Sequence, residues 1–281
     1  MSTLKQCNFE IIDRCNYNCE YCLKSFRKDL VGKINPEYMD YILKLNPEAY
    51  IITGGEPSLN KKFIFNFIYK TNKPIILNTN LSNFTIDEIK ELNNRVYFHI
   101  DFPSIIKDEY LMMTKSSLKL FNRVKSNLKY ASNSQIVIVV TDTNKNSIYH
   151  SIKVLASQYG FTDFLVSPAI SKSISNPIEI FKNLDLFAKN NRNLKINTMC
   201  YTKAFELANI KYINVTHRCS AGLDRFIIKA NGDIINCAWS NEKVIGKVGD
   251  DVKSILLRGR SINRCNRYCL GDILNDSYNI S

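Results

Sequence analysis

From residue 8 to about 190, short apolar runs alternate with amphipathic stretches. The apolar runs NFEIID (8–13), KPIILNTN (73–80), RVYFHIDF (95–102), SQIVIVVTDT (134–143) and FTDFLVS (161–167) predict strands, and AYIITGGE (49–56) predicts a strand running into a glycine turn. The segments between them read as helices. NPEYMDYILKL (35–45) opens with Asn35 as N-cap and Pro36 at the first helical position. KKFIFNFIYK (61–70) reads as a helix, although its apolar crowding leaves a strand open. TIDEIKEL (85–92) carries a capping box from Thr85 to Glu88. Leu118, Phe121, Val124 and Leu128 give 116–131 a helical stripe, Gly160 stops a helix over 147–160, and Asn-Pro begins another over 176–190. Six strands separated by helices imply an α/β fold with a parallel sheet.

After about residue 200 the alternation stops. DRFIIKANGDIINC (224–237) looks like two short strands around an Asn-Gly turn, and DDVKSILLRG (250–259) like a short helix. The last 19 residues show little pattern. A boundary near 195–205 follows, giving domains over 1–200 and 201–281. No run approaches the roughly 20 apolar residues of a membrane span, and the start lacks a secretory pattern, so a cytoplasmic location is expected. About seven residues precede the first strand, too few for an N-terminal leader-binding domain.

The net charge of +12 at pI near 9.2 suits an anionic partner. The lysines are scattered, however, and codon bias explains them more simply than a nucleic-acid surface does. The nine cysteines alter the picture more. A reducing compartment favours metal ligation or redox chemistry over disulfides. Three thiols fall at Cys15, Cys19 and Cys22, spaced C-x3-C-x2-C; four more are Cys219, Cys237, Cys265 and Cys269; Cys7 and Cys200 stand apart. A four-iron cluster takes four thiolates, so three leave one iron with an exchangeable position. In the second group, Cys219, Gly232 and Cys237 parse as C-x12-G-x4-C, with the glycine serving the hairpin turn and Cys265/Cys269 following as C-x3-C. Four thiols satisfy a cubane; a zinc-stapled hairpin is the alternative. The polar motifs TGGEP (53–57), NTNL (78–81), HIDF (99–102) and VVTDTN (139–144) sit at C-terminal strand ends, where parallel α/β folds bind ligands. His99, in an apolar strand, reads as a core histidine.

The cysteine spacing, with Tyr21 before the third thiol, closely resembles the radical S-adenosylmethionine (SAM) superfamily. That resemblance implies a partial (β/α)6 TIM-type barrel and a 4Fe–4S cluster on Cys15, Cys19 and Cys22, with SAM chelating the open iron. By the same resemblance Gly54, Gly55, Glu56 and Pro57 form the glycine-rich SAM segment. Thr79 and Asn80 match the family's T-N-G, with Leu81 replacing the glycine, and Asp101, Thr141 and Asn144 are further cofactor contacts. The tail, including its Ile-Gly-Lys-Val run, resembles the "twitch" or SPASM module, implying an auxiliary 4Fe–4S cluster on Cys219, Cys237, Cys265 and Cys269. The final C-x3-C, where C-x2-C is more familiar, leaves the fourth ligand open, with Cys200 a substitute.

The expected activity is reductive cleavage of SAM to a 5′-deoxyadenosyl radical that takes hydrogen from an unactivated C–H bond. An auxiliary cluster suits net oxidation: an oxidoreductase acting on a small molecule or carbohydrate, or a peptide maturase. An epimerase is the alternative, with Cys200 or Cys7 as hydrogen donor. A one-electron reductant such as flavodoxin or ferredoxin is implied. A zinc-bearing, basic nucleic-acid-binding protein explains the charge and thiols but neither GGEP nor the six-fold alternation.

Overall fold

The computed structural model describes residues 4–22, 31–169, 174–198, 221–237 and 243–261. The chain divides into two compact units.

The first comprises Met1–Tyr17, Phe26–His99 and Ser220–Arg264. Its strands are β1 (Gln6–Glu10), β2 (Ala49–Thr53), β3 (Ile75–Thr79), the start of β4 (Tyr97–Asp101), β8 (Arg225–Ile228), β9 (Asp233–Ile235) and β10 (Val244–Lys247). They run in the order β10-β9-β8-β1-β2-β3-β4. β1 pairs in parallel with both β2 and β8, and β2 with β3; β8 and β9 form the antiparallel hairpin whose turn holds Gly232 at φ 88°. Period-2 alternation decides which side chains face the helices. Phe9 meets Tyr50, Phe63 and Phe67 at ring-centroid distances of 6.2, 6.3 and 4.9 Å. Cys7 shares that fully buried face with Phe9, and burial pushes its thiol well above the usual range. Helix α2 (Lys61–Ile68) supplies Phe63, Ile64, Phe67 and Ile68, so the crowded apolar run is a helix. Each buried aromatic there contributes about 1.5–3 kcal/mol.

Helix α1 spans Tyr38–Lys44 and begins later than Asn35-Pro36 suggests. The Asn35 Oδ1 accepts from Glu37 N–H at 3.1 Å, a local turn that competes with helix initiation. Helix α3 (Ile86–Leu92) has its Thr85/Glu88 capping box.

The second unit comprises Asn18–Ser25, Ile100–Cys219 and Cys265–Ser281. It contains the end of β4, then β5 (Ser134–Val140), β6 (Asp163–Pro168) and β7 (Lys195–Asn197), in that order, with the β5–β6 and β6–β7 pairs parallel. Its helices are α4 (Lys107–Thr114), α5 (Leu118–Leu128), α6 (Ile148–Tyr159) and α7 (Pro177–Asn190). Tyr110 of α4 packs 5.1 Å from Phe102 and 4.9 Å from Phe121 of α5. Gly160 ends α6 in the left-handed conformation. Neither α4 nor the three-residue β7 was expected from the sequence pattern. In the first unit, α8 (Val252–Ser261) follows β10. Among the described residues no helix is long and apolar enough to cross a membrane.

Candidate active site

The motif residues fall at C-terminal strand ends. Gly54 directly follows β2, Thr79 is the last residue of β3, Asp101 the last of β4, and Thr141 directly follows β5. Cys15 lies in the loop after β1.

In the first unit the ends of β2 and β3 are keyed to that loop. Gly55 N–H donates to Ile12 O at 2.7 Å and Glu56 N–H to Arg14 O at 2.9 Å. The approach leaves no room for side chains. A Cβ on Gly54 would lie 2.3 Å from Ile12 O, and one on Gly55 would lie 2.1 Å from Arg14 O and 2.8 Å from Cys15 N. The two glycines are therefore required by the cysteine loop itself. Glu56 is 1% exposed. Its carboxylate accepts from Ser58 N–H at 2.9 Å, from Thr79 Oγ1 at 2.6 Å and from Asn80 N–H at 2.8 Å, fastening β2 to β3. Burial raises its pKa, and these three donors partly offset the rise. Pro57 opens a buried 3-10 turn, Pro57–Asn60. Asn60 Nδ2 returns to Ile11 O at 2.9 Å.

Asn80 reaches the cysteine loop. Its Nδ2 donates to Asn16 Oδ1 at 2.9 Å and stands 4.0 Å from Cys15 Sγ. Asn16 in turn donates to Ser82 Oγ at 2.8 Å, and Tyr17 N–H donates to Cys15 Sγ at 3.3 Å. Asn16 and Ser82 were not singled out in the sequence. Asn16's position beside a thiol was the signal available.

In the second unit, the segment Asn18–Cys22, which carries Cys19 and Cys22, is held by α4. That helix ends at Lys115, in the left-handed region, and its last carbonyls need donors. Asn18 N–H donates to Thr114 O at 3.1 Å and Glu20 N–H to Met113 O at 2.9 Å. Tyr21 packs with Met113 and Ala169 and against Cys19 and Val139. Its hydroxyl donates to Asp101 Oδ2 at 2.8 Å. Burial first, then the Asp101 carboxylate, push that hydroxyl well above the usual tyrosine range. Glu20 accepts from Thr141 Oγ1 and Thr143 Oγ1, each at 3.4 Å. Asn144 is 1% exposed, and its amide is engaged by backbone: Oδ1 accepts from Thr141 N–H at 2.8 Å, while Nδ2 donates to Pro103 O at 2.8 Å and Val139 O at 2.9 Å. It shapes the edge that presents Thr141.

Cys15 is exposed and Cys19 and Cys22 are partly so, in contrast to buried Cys7. Accessible thiols on loops are a donor set that suits an iron–sulfur cluster. Among the described residues no group of three or more Cys, His, Asp or Glu side chains could hold a metal ion. Cys237 follows β9 and is partly exposed; Cys200, Cys219, Cys265 and Cys269 lie outside the described residues.

Residues 9–144 match the model of the Radical SAM superfamily. Among solved structures, native anSMEcpe with bound AdoMet is 18% identical at a TM-score of 0.70, over 91% of this chain and 81% of that one. Streptococcus suis SuiB bound to precursor peptide SuiA is 16% identical at a TM-score of 0.73, over 98% of this chain and 71% of that one. SuiB bound to S-adenosylmethionine is 15% identical at 0.70, over 97% and 72%. These likenesses establish a shared α/β fold. No curated protein matches the sequence. Residues 9–144, which hold the cysteine loop and the ends of β2 to β5, are a radical SAM domain.

Proposed function

We propose that the chain is a radical SAM enzyme of the maturase or oxidoreductase kind, built on a partial (β/α)6 barrel with an auxiliary-cluster module from about residue 201. The observation that carries the reading is the fit of the β2 end to the Cys15 loop, which excludes a Cβ at Gly54 and Gly55. A strand end shaped only as a turn has no need of two such contacts. Cys15, Cys19 and Cys22 would hold a 4Fe–4S cluster. A cluster held there would supply the electron for reductive cleavage of SAM into methionine and a 5′-deoxyadenosyl radical, the chemistry needed to take hydrogen from an unactivated C–H bond.

The protein's own residues prepare the site. Glu56 locks the ends of β2 and β3 together, so that Gly54, Gly55 and Asn80 present a fixed surface to the methionine portion of SAM. Asn80 and the Tyr17 N–H direct donors toward Cys15 Sγ. Asp101 and Thr141 supply polar groups from the β4 and β5 ends for the ribose.

A peptide substrate is placed first. SuiB has been solved with its precursor peptide and anSMEcpe with the Cp18Cys peptide, and this chain shares their fold. Cys219, Cys237, Cys265 and Cys269 are assigned to the auxiliary cluster, which suits net oxidation of the substrate. A flavodoxin or ferredoxin is the proposed reductant. Cys7 is a core residue by its burial, which leaves Cys200 as the donor thiol should the reaction be epimerisation.

Anaerobic reconstitution tests this. The protein is expected to hold about eight irons, four per cluster, and to form 5′-deoxyadenosine from SAM when reduced with dithionite. Cys237→Ala is expected to lower the iron content toward about four while leaving 5′-deoxyadenosine formation intact. A colourless protein without iron would refute the whole reading; eight irons retained in Cys237→Ala would refute the auxiliary assignment alone.

A further inference from the structure

Tyr21 sits between two candidate cluster ligands, yet its side chain reaches β4. The loop backbone is pinned first, because Asn18 and Glu20 donate to the last carbonyls of α4. The ring is then clamped against Met113 and Ala169, leaving Tyr21 only 8% exposed. Its hydroxyl arrives 2.8 Å from Asp101 Oδ2 with little freedom left to lose. A hydrogen bond to a charged carboxylate is among the stronger ones and is directional. Asp101 ends its strand, where the backbone alone does not determine which way a short carboxylate turns.

We propose that Tyr21 is a positioning residue for SAM, holding the Asp101 carboxylate in the orientation that receives the SAM ribose hydroxyls. This deepens the radical SAM reading and rests on it. The cysteine loop thus has two tasks: Cys19 and Cys22 carry ligating sulfur, while the side chain between them sets an acceptor on β4. Phenylalanine keeps the packing against Met113 and Ala169 and removes the hydroxyl, which neighbours the Cys19 thiol as well as Asp101.

The test is a double-mutant cycle on the reconstituted protein, using Tyr21→Phe, Asp101→Asn and the pair. SAM affinity is measured by isothermal titration calorimetry, and thermal stability and iron content are measured in parallel. Tyr21→Phe is expected to keep its iron and weaken SAM binding about tenfold, a difference of ~1.4 kcal/mol. Asp101→Asn is expected to weaken it further, and the pair to match Asp101→Asn alone if the hydroxyl's effect on SAM runs through the carboxylate rather than through its other neighbour, Cys19. Wild-type affinity in Tyr21→Phe, or multiplying effects in the pair, would overturn the proposal. So would a fall in melting temperature with no change in SAM affinity, the mark of a purely structural role. If the wild-type holoprotein itself binds no SAM, the radical SAM reading fails instead.

Discussion

Gly55→Ala is expected to remove most of the protein's ability to cleave SAM while leaving most of the fold in place. The added Cβ would stand 2.1 Å from Arg14 O and 2.8 Å from Cys15 N, whereas nonbonded heavy atoms rest at roughly 3.5–4.0 Å. Both neighbours are backbone, so no side chain can swing aside. The β2 end and the Cys15 loop must separate by about 1 Å, and a misplacement of that size at a reacting centre can cost about 100-fold in rate. The cost to stability is smaller, about 1–3 kcal/mol for an overpacked contact. Iron content and 5′-deoxyadenosine formation after anaerobic reconstitution check this. A variant with full iron and an undiminished rate would show that the close approach does not matter to the chemistry.

The second large effect concerns Leu81, which stands where the family's T-N-G carries glycine. Its backbone has φ 62°, in the left-handed region, while its side chain is fully buried. Its N–H donates to Thr79 Oγ1 at 2.9 Å, which ties the turn to the Glu56 network. Two effects oppose each other at this position. A left-handed backbone costs a side-chain-bearing residue roughly 1–2 kcal/mol, whereas truncating a buried leucine costs about 2–5 kcal/mol. Burial wins, so both Leu81→Ala and Leu81→Gly should destabilise. Alanine loses the side chain and keeps the strain; glycine loses the side chain and sheds the strain. Leu81→Gly should therefore be the more stable of the two by about 1 kcal/mol, reversing the usual order of alanine over glycine. Urea unfolding of the three proteins measures this. A glycine variant less stable than the alanine variant would mean that the left-handed turn carries no strain.

The strand ends were legible because each combines an apolar run with a polar stop, and the stop is where the ligand-facing residues fall. Thr79 and Asp101 close β3 and β4, and Thr141 follows β5. The capping box fixed the start of α3 because Thr85 and Glu88 act on neighbouring backbone. Local chemistry is readable in local sequence. Helix α4 was not readable. Its buried positions are only Tyr110, Met113 and Thr114, its N-cap Ile106 offers no side-chain oxygen, and Lys115 closes it from the left-handed region. Tertiary packing of Tyr110 on Phe102 and Phe121 forms it instead. The short β7 has three residues, too few for alternation to register.

The same division holds within the site. The three cysteines and GGEP could be found by spacing. That Glu56 fastens Thr79 and Asn80, that Asn16 joins Asn80 to Ser82, and that Tyr21 reaches Asp101 across 80 residues depend on which loops meet. Gly54 and Gly55 were read as part of the glycine-rich SAM segment; that their Cβ positions are occupied by the backbone of the cysteine loop is visible only in the fold. The pattern identified the residues, but only the fold shows what each one touches.

The most direct test of the central claim, that Cys15, Cys19 and Cys22 leave one iron open to SAM, is electron paramagnetic resonance of the dithionite-reduced, reconstituted protein. To isolate that cluster, the measurement is made in the Cys237→Ala background with and without added SAM. The account predicts a reduced-cluster signal whose shape and g values change when SAM is added, and which disappears on replacing Cys15, Cys19 and Cys22 with alanine. A signal indifferent to SAM, or one that survives loss of those three cysteines, would contradict it.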